Sequence, residues 1–407
     1  MNLRTLAPVW LALVCACAHG EPREVAPWQW EGVERIVAVG DLHGDYEQYM
    51  KVLRSAGLVN ARGKWTGGET HLVQTGDVPD RGPDTRRIID HLADLKEQAE
   101  RKGGRVHTLI GNHEAMNSYG DVRYVHPGEF EAFRGRDSKR LQQLQWEHYL
   151  SRLKQVRPEA FLTMDLDKHR AEWERKVPLG WVEHRLAWAP EGEYGQWVLS
   201  NPVIVRVNDT LFLHGGIGPA YCHLGIEEIN RRAHAELRAY DPETRGVIDD
   251  EHGPLWYRGL ATENEATFGP VLAQILERYG ASRIVVGHTP TGGVVWPRFN
   301  GRVVVNDTGI AAYYGGHDAY LEIRPDGVFA GYGELKLPLP RGEVERLDYL
   351  RAVIELDPEN GELKKLLSET QSPATGDEVQ AGAETDEATG EPAVADHADA
   401  VSPGICQ

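Results

Sequence analysis

Five short runs of aliphatic and β-branched residues in this 407-residue chain end in the same way. Each is followed at once by Asp, His or Asn beside a glycine, in the motifs "GDLHG", "GDVPDRG", "GNHE", "HGG" and "GH". Such runs predict buried strands, and a turn needs Gly or Asn but has no use for His or Glu. In α/β folds the ends of strands are where ligands are held. The chain is therefore constrained to a fold in which several strand ends meet around a ligand.

The segments between the first three runs have the spacing of helices. After "GDLHG", apolar residues recur at i, i+3, i+4 and i+7, and they are Tyr49, Val52, Leu53 and Ala56. After "GDVPDRG", an apolar stripe precedes a Gly-Gly pair, and it contains Ile88, Leu92 and Leu95. Alternating strands and helices predict an α/β layered domain with parallel strands, whose carboxyl ends lie on one edge.

The later part of the chain predicts an insertion and closing strands. Residues 128–200 carry many charged side chains with apolar residues near helical spacing, which predicts a helical insertion. Its tryptophans indicate either a packing layer or a lid that shapes substrate access, and both interpretations stay open. Residues 302–306 and 319–324 predict closing strands, and "NDTG" at residues 306–309 is a candidate border of the site.

Composition limits the partners. With 41% hydrophobic and 26% charged residues, the chain can bury one large core or two smaller ones. The 44 Lys and Arg against 62 Asp and Glu give a net charge of -18, which disfavours nucleic acid as a partner. About half of the acidic excess lies in residues 369–407, which contain no Lys, Arg or aromatic residue. That composition predicts a disordered acidic tail.

The first residues predict a targeting segment. Arg4 precedes an apolar stretch at residues 6–14, and small residues with Cys follow, so residues 1–20 are expected to form a signal peptide. Residues 14–17 approximate a bacterial lipobox, in which Cys17 would carry a lipid anchor, whereas Ala16-Cys-Ala18 offers a cut for ordinary secretion. We favour the anchor. The protein is thus expected to be exported to the periplasm or anchored to the outer membrane.

Beyond the targeting segment the chain has two cysteines, Cys222 and Cys406. A bridge between them would require the acidic tail to fold back onto the domain. No disulfide framework is evident from the spacing, so both are expected to be free thiols.

The first two motifs supply ligands for a metal ion. Asp41 and His43 are two residues apart just after a predicted strand, so they project to one side if the extended backbone continues. Asp77 ends the neighbouring strand, and a carboxylate can bridge two ions through its two oxygens. The sequence therefore predicts one ion held by Asp41, His43 and Asp77.

The later motifs supply ligands for a second ion. Asn112, His214 and His288 offer one amide oxygen and two imidazoles. Mixed nitrogen and oxygen ligands suit zinc, iron or manganese better than calcium. Two such ions, about 3.5 to 4 Å apart, generate hydroxide at neutral pH and hold a phosphoryl group for in-line attack. The ligand set thus predicts a two-metal centre.

The remaining motif residues suit the leaving-group side of such a reaction. His113 follows Asn112 but points elsewhere by strand alternation, and it could donate a proton to the departing oxygen. Asp80 could hold that imidazole in the required tautomer, and Arg81 offers a planar fork for phosphate oxygens. Taken singly, a His is usually structural and "DRG" is usually a turn with a surface Arg. Their order and their places at strand ends favour catalysis.

The five motifs, in this order, resemble the phosphoprotein phosphatase branch of the calcineurin-like metallophosphoesterases. The resemblance covers roughly residues 33–330, and the whole domain is expected to span residues 33–340. It implies a two-sheet αββα sandwich and the metal ligands already named. It also implies that Asp80 and His113 form the acid pair and that Arg81 binds phosphate.

The chain departs from the serine/threonine members at one position. Ile110 stands where those members have a second phosphate-binding Arg before "GNHE". Arg258, in "GPLWYRG", offers a replacement from another loop, and the alternative is a surface Arg beside a packed Trp-Tyr pair. This segment and the plain "GNHE" are similar to the Shewanella-like phosphatases, a bacterial-type subgroup with members that prefer phosphotyrosine. The choice between Tyr and Ser/Thr substrates stays open.

Three functions fit these residues. The first is a phosphatase that hydrolyses phosphomonoesters, on a phosphorylated protein or a small phosphoester. The second is a phosphodiesterase or dinucleotide polyphosphate hydrolase, and the third is a metal-binding scaffold protein without turnover. The first is favoured over the second because Arg81 suits a dianionic terminal phosphate, and the complete acid pair argues against the third.

Overall fold

The computed structural model describes residues 27–371 and Cys406. Its strands are β1 (Gln29–Trp30), β2 (Ile36–Val39), β3 (His71–Gln74), β4 (Arg105–Thr108), β5 (Ile204–Val207), β6 (Thr210–Leu213), β7 (Arg283–Val286), β8 (Trp296–Arg298), β9 (Val303–Val305), β10 (Ala319–Arg324), β11 (Gly327–Tyr332) and β12 (Leu335–Pro338).

The helices of this part of the chain surround those strands. They are α1 (Tyr46–Ser55), α2 (Thr85–Glu100), α3 (Asn112–Tyr119), α4 (Pro127–Ala132), α5 (Ser138–Val156), α6 (Pro158–Leu162), α7 (Leu166–Lys176), α8 (Trp181–Trp188), α9 (Glu193–Val198), α10 (Ile226–Arg238), α11 (Gly259–Thr262), α12 (Glu265–Tyr279), α13 (Glu343–Leu356) and α14 (Gly361–Gln371). None of the described helices is both long and apolar enough to cross a bilayer.

The strands form two six-stranded sheets. One has the order β12-β11-β10-β2-β3-β4, and the other β1-β5-β6-β7-β9-β8. β2, β3 and β4 are parallel to one another, and the helices α1 and α2 connect them. β6, β7 and β9 are also parallel to one another. Helices α10 to α12 lie between β6 and β7, whereas β8, which is antiparallel to β9, lies between β7 and β9. In β2 and β3, Ile36 pairs with His71 and Val39 with Gln74, so both strands finish level and their motifs emerge side by side.

Alternating side chains of each sheet divide between two layers of core. Ile36 and Ala38 of β2 face the other sheet, where Val285 and Phe212 belong to the same buried cluster. Val37 and Val39 point the opposite way and pack in a second cluster with α1 and α2, and that cluster also covers the outer face of the second sheet beneath α10 and α12. The result is an αββα sandwich, which confirms the predicted fold class.

The helical insertion was expected at residues 128–200, and residues 127–198 contain the six helices α4 to α9. Trp188 is buried in the main core, and Trp197 packs against it. Trp181 packs against a small separate cluster that contains Trp146 and Trp173. The tryptophans of this region therefore act as core, which was the packing interpretation.

The domain continues past residue 340. Tyr349 of α13 donates a hydrogen bond to the carbonyl of Val295 at 2.8 Å, and Leu363 of α14 is buried in the cluster between the sheets. Because α14 ends at Gln371, it also includes the first residues of the expected acidic tail. The rest of the tail, apart from Cys406, and the expected signal peptide with Cys17 lie outside the described residues.

The expectation that Cys222 and Cys406 are free thiols is wrong. Their sulfurs form a disulfide with the two Cα atoms 4.9 Å apart, and both side chains are buried in the main core. The error came from treating the acidic tail as having nothing to attach it. Cys406 is attached to the domain, because it forms a disulfide with the buried Cys222.

We expect the disulfide to stabilise the fold by restricting the unfolded chain. Cys406→Ser should lower the free energy of unfolding by about 2 to 4 kcal/mol, the usual range for a bridge that closes a long loop. Thermal unfolding with and without reductant measures this. Reduction should lower the melting temperature of the wild type and leave that of the variant unchanged. An equal effect of reductant on both would contradict a structural role for the bridge.

Candidate metal centre

The predicted metal ligands come together at the carboxyl ends of four strands. Asp41 follows β2, Asp77 follows β3, His214 follows β6 and His288 follows β7. Asn112, which opens α3 after β4, completes a set of buried polar side chains. Two strands belong to one sheet and two to the other, so the site lies where the edges of both sheets meet.

The motif glycines make this meeting sterically feasible. A Cβ atom on Gly287 would lie 2.4 Å from Oδ1 of Asp41, which is closer than any real contact. Gly76 has a φ of 99°, and a Cβ atom there would lie 2.7 Å from the backbone nitrogen of Gly111. A side chain at either glycine would push a strand end away from its neighbour.

Three ligand atoms gather around Nε2 of His214. It lies 2.8 Å from Oδ1 of Asn112, 3.1 Å from Nδ1 of His288 and 3.3 Å from Oδ2 of Asp77. These are the residues that the sequence predicts for the second ion, including the bridging carboxylate.

The protons of both imidazoles are held on the far side of this cluster. Nδ1 of His214 lies 3.0 Å from the carbonyl oxygen of Thr75, and Nε2 of His288 lies 3.1 Å from that of Trp256. A carbonyl oxygen only accepts, so each of these nitrogens must carry a hydrogen. In the tautomer that this hydrogen bond selects, the other nitrogen of each ring presents a lone pair to the cluster. Lone pairs at such distances repel one another unless a cation lies among them, so the donor set fits a metal ion.

His43 is oriented in the same way for the first ion. Its Nδ1 lies 3.2 Å from the carbonyl oxygen of Pro79, which leaves Nε2 facing Oδ2 of Asp77 at 4.0 Å. Asp41 lines the same pocket, and its Oδ1 is buried with no hydrogen-bond partner among the residues described. An unpartnered carboxylate oxygen is what a cation would satisfy.

The prediction that an extended backbone places Asp41 and His43 on one side is nevertheless wrong. The backbone does not stay extended, because His43 has a left-handed φ of 44°. The amides of Leu42 and His43 both donate to the carbonyl oxygen of Asp77, at 2.9 and 3.0 Å. This turn, rather than strand alternation, directs the imidazole into the pocket.

The pKa values of the pocket side chains favour the binding of cations there. Burial, with the nearby His113, lowers the pKa of His43 to about 3. Burial, with Arg258, holds the pKa of His288 well below its usual value, so both rings are neutral ligands. Burial and the neighbouring carboxylates of Asp307 and Asp77 raise the pKa of Asp41 well above its usual value. Crowded carboxylates of this kind ionise together only when positive charge is supplied.

The proposed acid pair is formed. Nδ1 of His113 lies 2.5 Å from Oδ2 of Asp80, and Nε2 of His113 lies 3.7 Å from Oδ2 of Asp77. Burial lowers the pKa of His113, but Asp77 and Asp80 outweigh it and raise that pKa to about 9. His113 diverges from Asn112 because both belong to α3, where successive side chains rotate by about 100°, and not by strand alternation as predicted.

Glu114 of "GNHE" has a structural role. Its carboxylate accepts hydrogen bonds from the backbone amides of Asp77, Val78 and Gly111, at 2.9, 2.8 and 2.8 Å. It thereby joins the end of β3 to the start of α3, so Asp77 and His113 share one support.

The two arginines are both half-buried but have different contacts. Arg258 lines the pocket, and its Nη1 donates to the carbonyl oxygen of His288 at 2.5 Å. The Arg81 guanidinium stacks on Tyr124 at 4.1 Å and on Tyr313 at 4.8 Å. Arg81 therefore stands beside the pocket, over a tyrosine that lines it.

Three acidic or aromatic side chains that line or adjoin the metal ligands were missed as candidates. Asp307 belongs to "NDTG", which was predicted only to border the site. Tyr124 and Tyr314 lie with their rings 5.2 Å from His113 and 5.0 Å from His43. Isolated tyrosines in loops carry no sequence signal, since only the fold brings those loops over the metal ligands.

Known proteins resemble this chain in sequence and in fold. The family model for calcineurin-like phosphoesterase matches residues 34–292. An uncharacterised protein of Schizosaccharomyces pombe is 34% identical over 71% of this chain and 76% of its own length. Shewanella-like protein phosphatase 2 of Arabidopsis thaliana is 30% identical over 74% of this chain and 78% of its own length. The crystal structure of a cold-active protein-tyrosine phosphatase from a Shewanella species has a TM-score of 0.58 and 26% identity, covering 79% of this chain and 84% of that one.

We expect Asp77→Asn to lose most bound metal, because Asp77 faces the ligand atoms of both ions. Activity should fall by more than the roughly 10- to 100-fold typical of partners outside the ligand shell. Elemental analysis of the purified protein measures the metal. Asp90→Asn, an exposed change on α2, is the matched control and should keep both ions. Full metal content in Asp77→Asn would rule out the bridging role.

Proposed function

The chain belongs to the calcineurin-like phosphoesterase family, and from this premise we propose that it is a metal-dependent phosphatase acting on phosphorylated proteins. The motif resemblance to Shewanella-like protein phosphatases is confirmed by a relative and by a solved structure. The observation that carries the proposal is the imidazole lone pairs that converge in the pocket beside an Asp-His pair. That combination supplies metal ligands on one side of a substrate and a proton donor on the other.

In this proposal, Asp41 and His43 would hold one ion, Asn112, His214 and His288 would hold the other, and Asp77 would contribute to both sites. Two metal ions here would supply Lewis-acid activation of water and of phosphoryl oxygens. Manganese, iron and zinc all suit the nitrogen and oxygen donors.

The chain's own residues then handle the leaving group. Asp80 binds Nδ1 of His113, so the Nε2 hydrogen faces the pocket and can pass to the departing oxygen. Arg258 lines the pocket from the side of His288, where its guanidinium can neutralise phosphate oxygens. Arg81 approaches over Tyr124 and provides a second cation at the rim.

We propose phosphotyrosine as the preferred substrate. Tyr124 and Tyr314 line the pocket, and Tyr313 beside them is 62% exposed, so an aryl phosphate would meet aromatic side chains as its phosphate reaches the metals. Ile110 occupies the position of the second phosphate-binding Arg of serine/threonine members. The name of the Shewanella structure, a protein-tyrosine phosphatase, supports the same choice for this chain.

We also propose that the protein is exported. The buried Cys222–Cys406 disulfide supports this, since such bonds persist in the oxidising compartments outside the cytoplasm. The lipid anchor through Cys17 stays a prediction from the sequence, and the mass of the mature amino terminus would test it.

Two substrate classes test the activity itself. With manganese, the protein should hydrolyse an aryl phosphate monoester far faster than a bis-aryl phosphate, because Arg81 and Arg258 match a dianionic phosphate. Chelation of the metal should abolish both activities. Faster hydrolysis of the diester would favour a phosphodiesterase, and no turnover of either ester with metal bound would favour a scaffold.

A leaving-group series tests the acid. His113→Asn should keep both metals but lose about 100- to 10,000-fold in turnover of esters with poor leaving groups. An aryl phosphate whose leaving group is stable as an anion should lose much less. Turnover across the series, with metal content measured on the same samples, gives the answer. Equal loss for every ester would show that the acid lies elsewhere.

A further inference from the structure

Asn117 lies in α3, one helical turn after His113, and it is fully buried. Its Nδ2 donates to Oδ1 of Asp80 at 2.9 Å and to the carbonyl oxygen of His113 at 3.0 Å. A side-chain amide nitrogen carries two hydrogens, so both bonds form at once. The second oxygen of Asp80 binds Nδ1 of His113. Two residues of one helix therefore hold the two oxygens of Asp80.

The hydrogen bond from Asn117 restricts a rotation of the Asp80 carboxylate that the bond to His113 leaves free. The terminal torsion of an Asp side chain is broad, so a single bond to His113 would allow carboxylate and imidazole to turn together. The bond from Asn117 fixes the plane of the carboxylate relative to α3. The arrangement has a cost, because Oδ1 of Asn117 is buried with no hydrogen-bond partner among the described residues. An apolar residue would avoid that cost, so the amide is present for its donor.

Arg185 of α8 holds the same helix from the other end. Its guanidinium donates to the carbonyl oxygen of Asn117 and, at 3.4 Å, to that of Ser118. Within residues 27–371, no carboxylate forms an ion pair with this buried side chain. The carbonyl end of a helix carries partial negative charge, so the guanidinium is stabilised by the end of α3. The helical insertion is thus fastened to the helix that carries the proton donor.

We propose that Asn117 is a positioning residue for the leaving-group acid, and that Arg185 supports it through the end of α3. The inference rests on the proposed function, since it takes His113 as the proton donor. Asn117 does not contact the substrate. It keeps Asp80 in the orientation that binds Nδ1 of His113 and directs Nε2 into the pocket.

Asn117→Ala removes the donor and leaves His113 and the ligands intact. We expect a loss of about 10- to 100-fold in kcat/KM for aryl phosphates with the poorest leaving groups, the usual effect of losing a partner outside the ligand shell. The best leaving groups should be hydrolysed almost normally, and both metals should remain. The ratio of the two rates is taken within one preparation, so a smaller folded fraction cannot imitate the effect.

Matched variants separate positioning from stability. Ser118→Ala, next along α3, removes a buried hydroxyl that donates to the carbonyl oxygen of Glu114 at 2.9 Å and has no link to Asp80. Its rate ratio should equal that of the wild type even if its melting temperature falls. Arg185→Leu should shift the ratio in the same direction as Asn117→Ala, and Arg185→Lys should shift it less.

The possible results separate a failure of the positioning role from a failure of the proposed function. A wild-type protein that holds two metals yet hydrolyses no aryl phosphate would overturn the proposed function. An active wild type with the expected His113→Asn defect, but with an equal loss or no loss across the series in Asn117→Ala, would overturn the positioning role alone. A leaving-group-dependent loss in Asn117→Ala, with Ser118→Ala unchanged, supports it.

Discussion

The hydrogen bonds of Asp77 hold the two halves of the site together. Its carbonyl oxygen accepts from Leu42 and His43 at the end of β2, and its amide donates to Glu114 of α3. Its Oδ1 accepts from the amide of His113, while Oδ2 faces His214 on the other sheet. Because the φ of Asp77 is 57°, the backbone is left-handed at this point and turns the carboxylate inward. Displacing this one residue would move a ligand, the acid and a neighbouring loop together.

The close approach of carboxylates and imidazoles in the pocket explains why it is suited to metal ions rather than to a hydrophobic ligand. Burying charges that lack partners is costly, and the pocket concentrates carboxylates and neutral imidazoles with their lone pairs turned inward. Backbone carbonyls fix the imidazole protons outside, so the rings cannot relieve the repulsion by changing tautomer. The fold therefore holds open a site whose energy falls when cations enter. That is the preorganisation expected of a catalytic metal centre.

The helical insertion bears on this centre in two ways. Trp188 and Tyr194 pack into the main core, which makes the insertion an integral layer of the domain. Arg185, one helical turn before Trp188, donates a hydrogen bond at the carbonyl end of α3, the helix that carries His113. The sequence left open whether this region is a packing layer or a lid. Its tryptophans pack as core, and Arg185 also contacts the helix that carries His113. Its aromatic residues explain its stability, and one buried cation explains its connection to the site.

Much of the site follows from sequence because its chemistry is local to motifs. Asp, His and Asn beside glycine at strand ends predict metal ligands, and alternating strands and helices predict the parallel order that gathers Asp41 and Asp77 on one edge. The same reasoning fails where a side chain direction depends on turns. His43 enters the pocket through a left-handed backbone, and His113 diverges from Asn112 because a helix begins there. Residue order alone does not encode those rotations.

Only the tertiary structure decided which distant residues meet. Tyr124 lies between α3 and α4, whereas Asp307 and Tyr314 lie in the connection between β9 and β10. The sequence marked only "NDTG", which contains Asp307, and it marked that segment as a border of the site. The Cys222–Cys406 bridge joins positions 184 residues apart, and the composition of the intervening tail argued against it. The bond from Asn117 to Asp80 spans 37 residues and depends on the packing of α3 against the end of β3. The sequence by itself determined the ligands and the chemistry that they permit, because those reside in side-chain types at strand ends. Packing decided how the ligand side chains are oriented, which residues line the rim of the pocket and which residues support His113. These features arise from contacts between segments that are far apart in the chain.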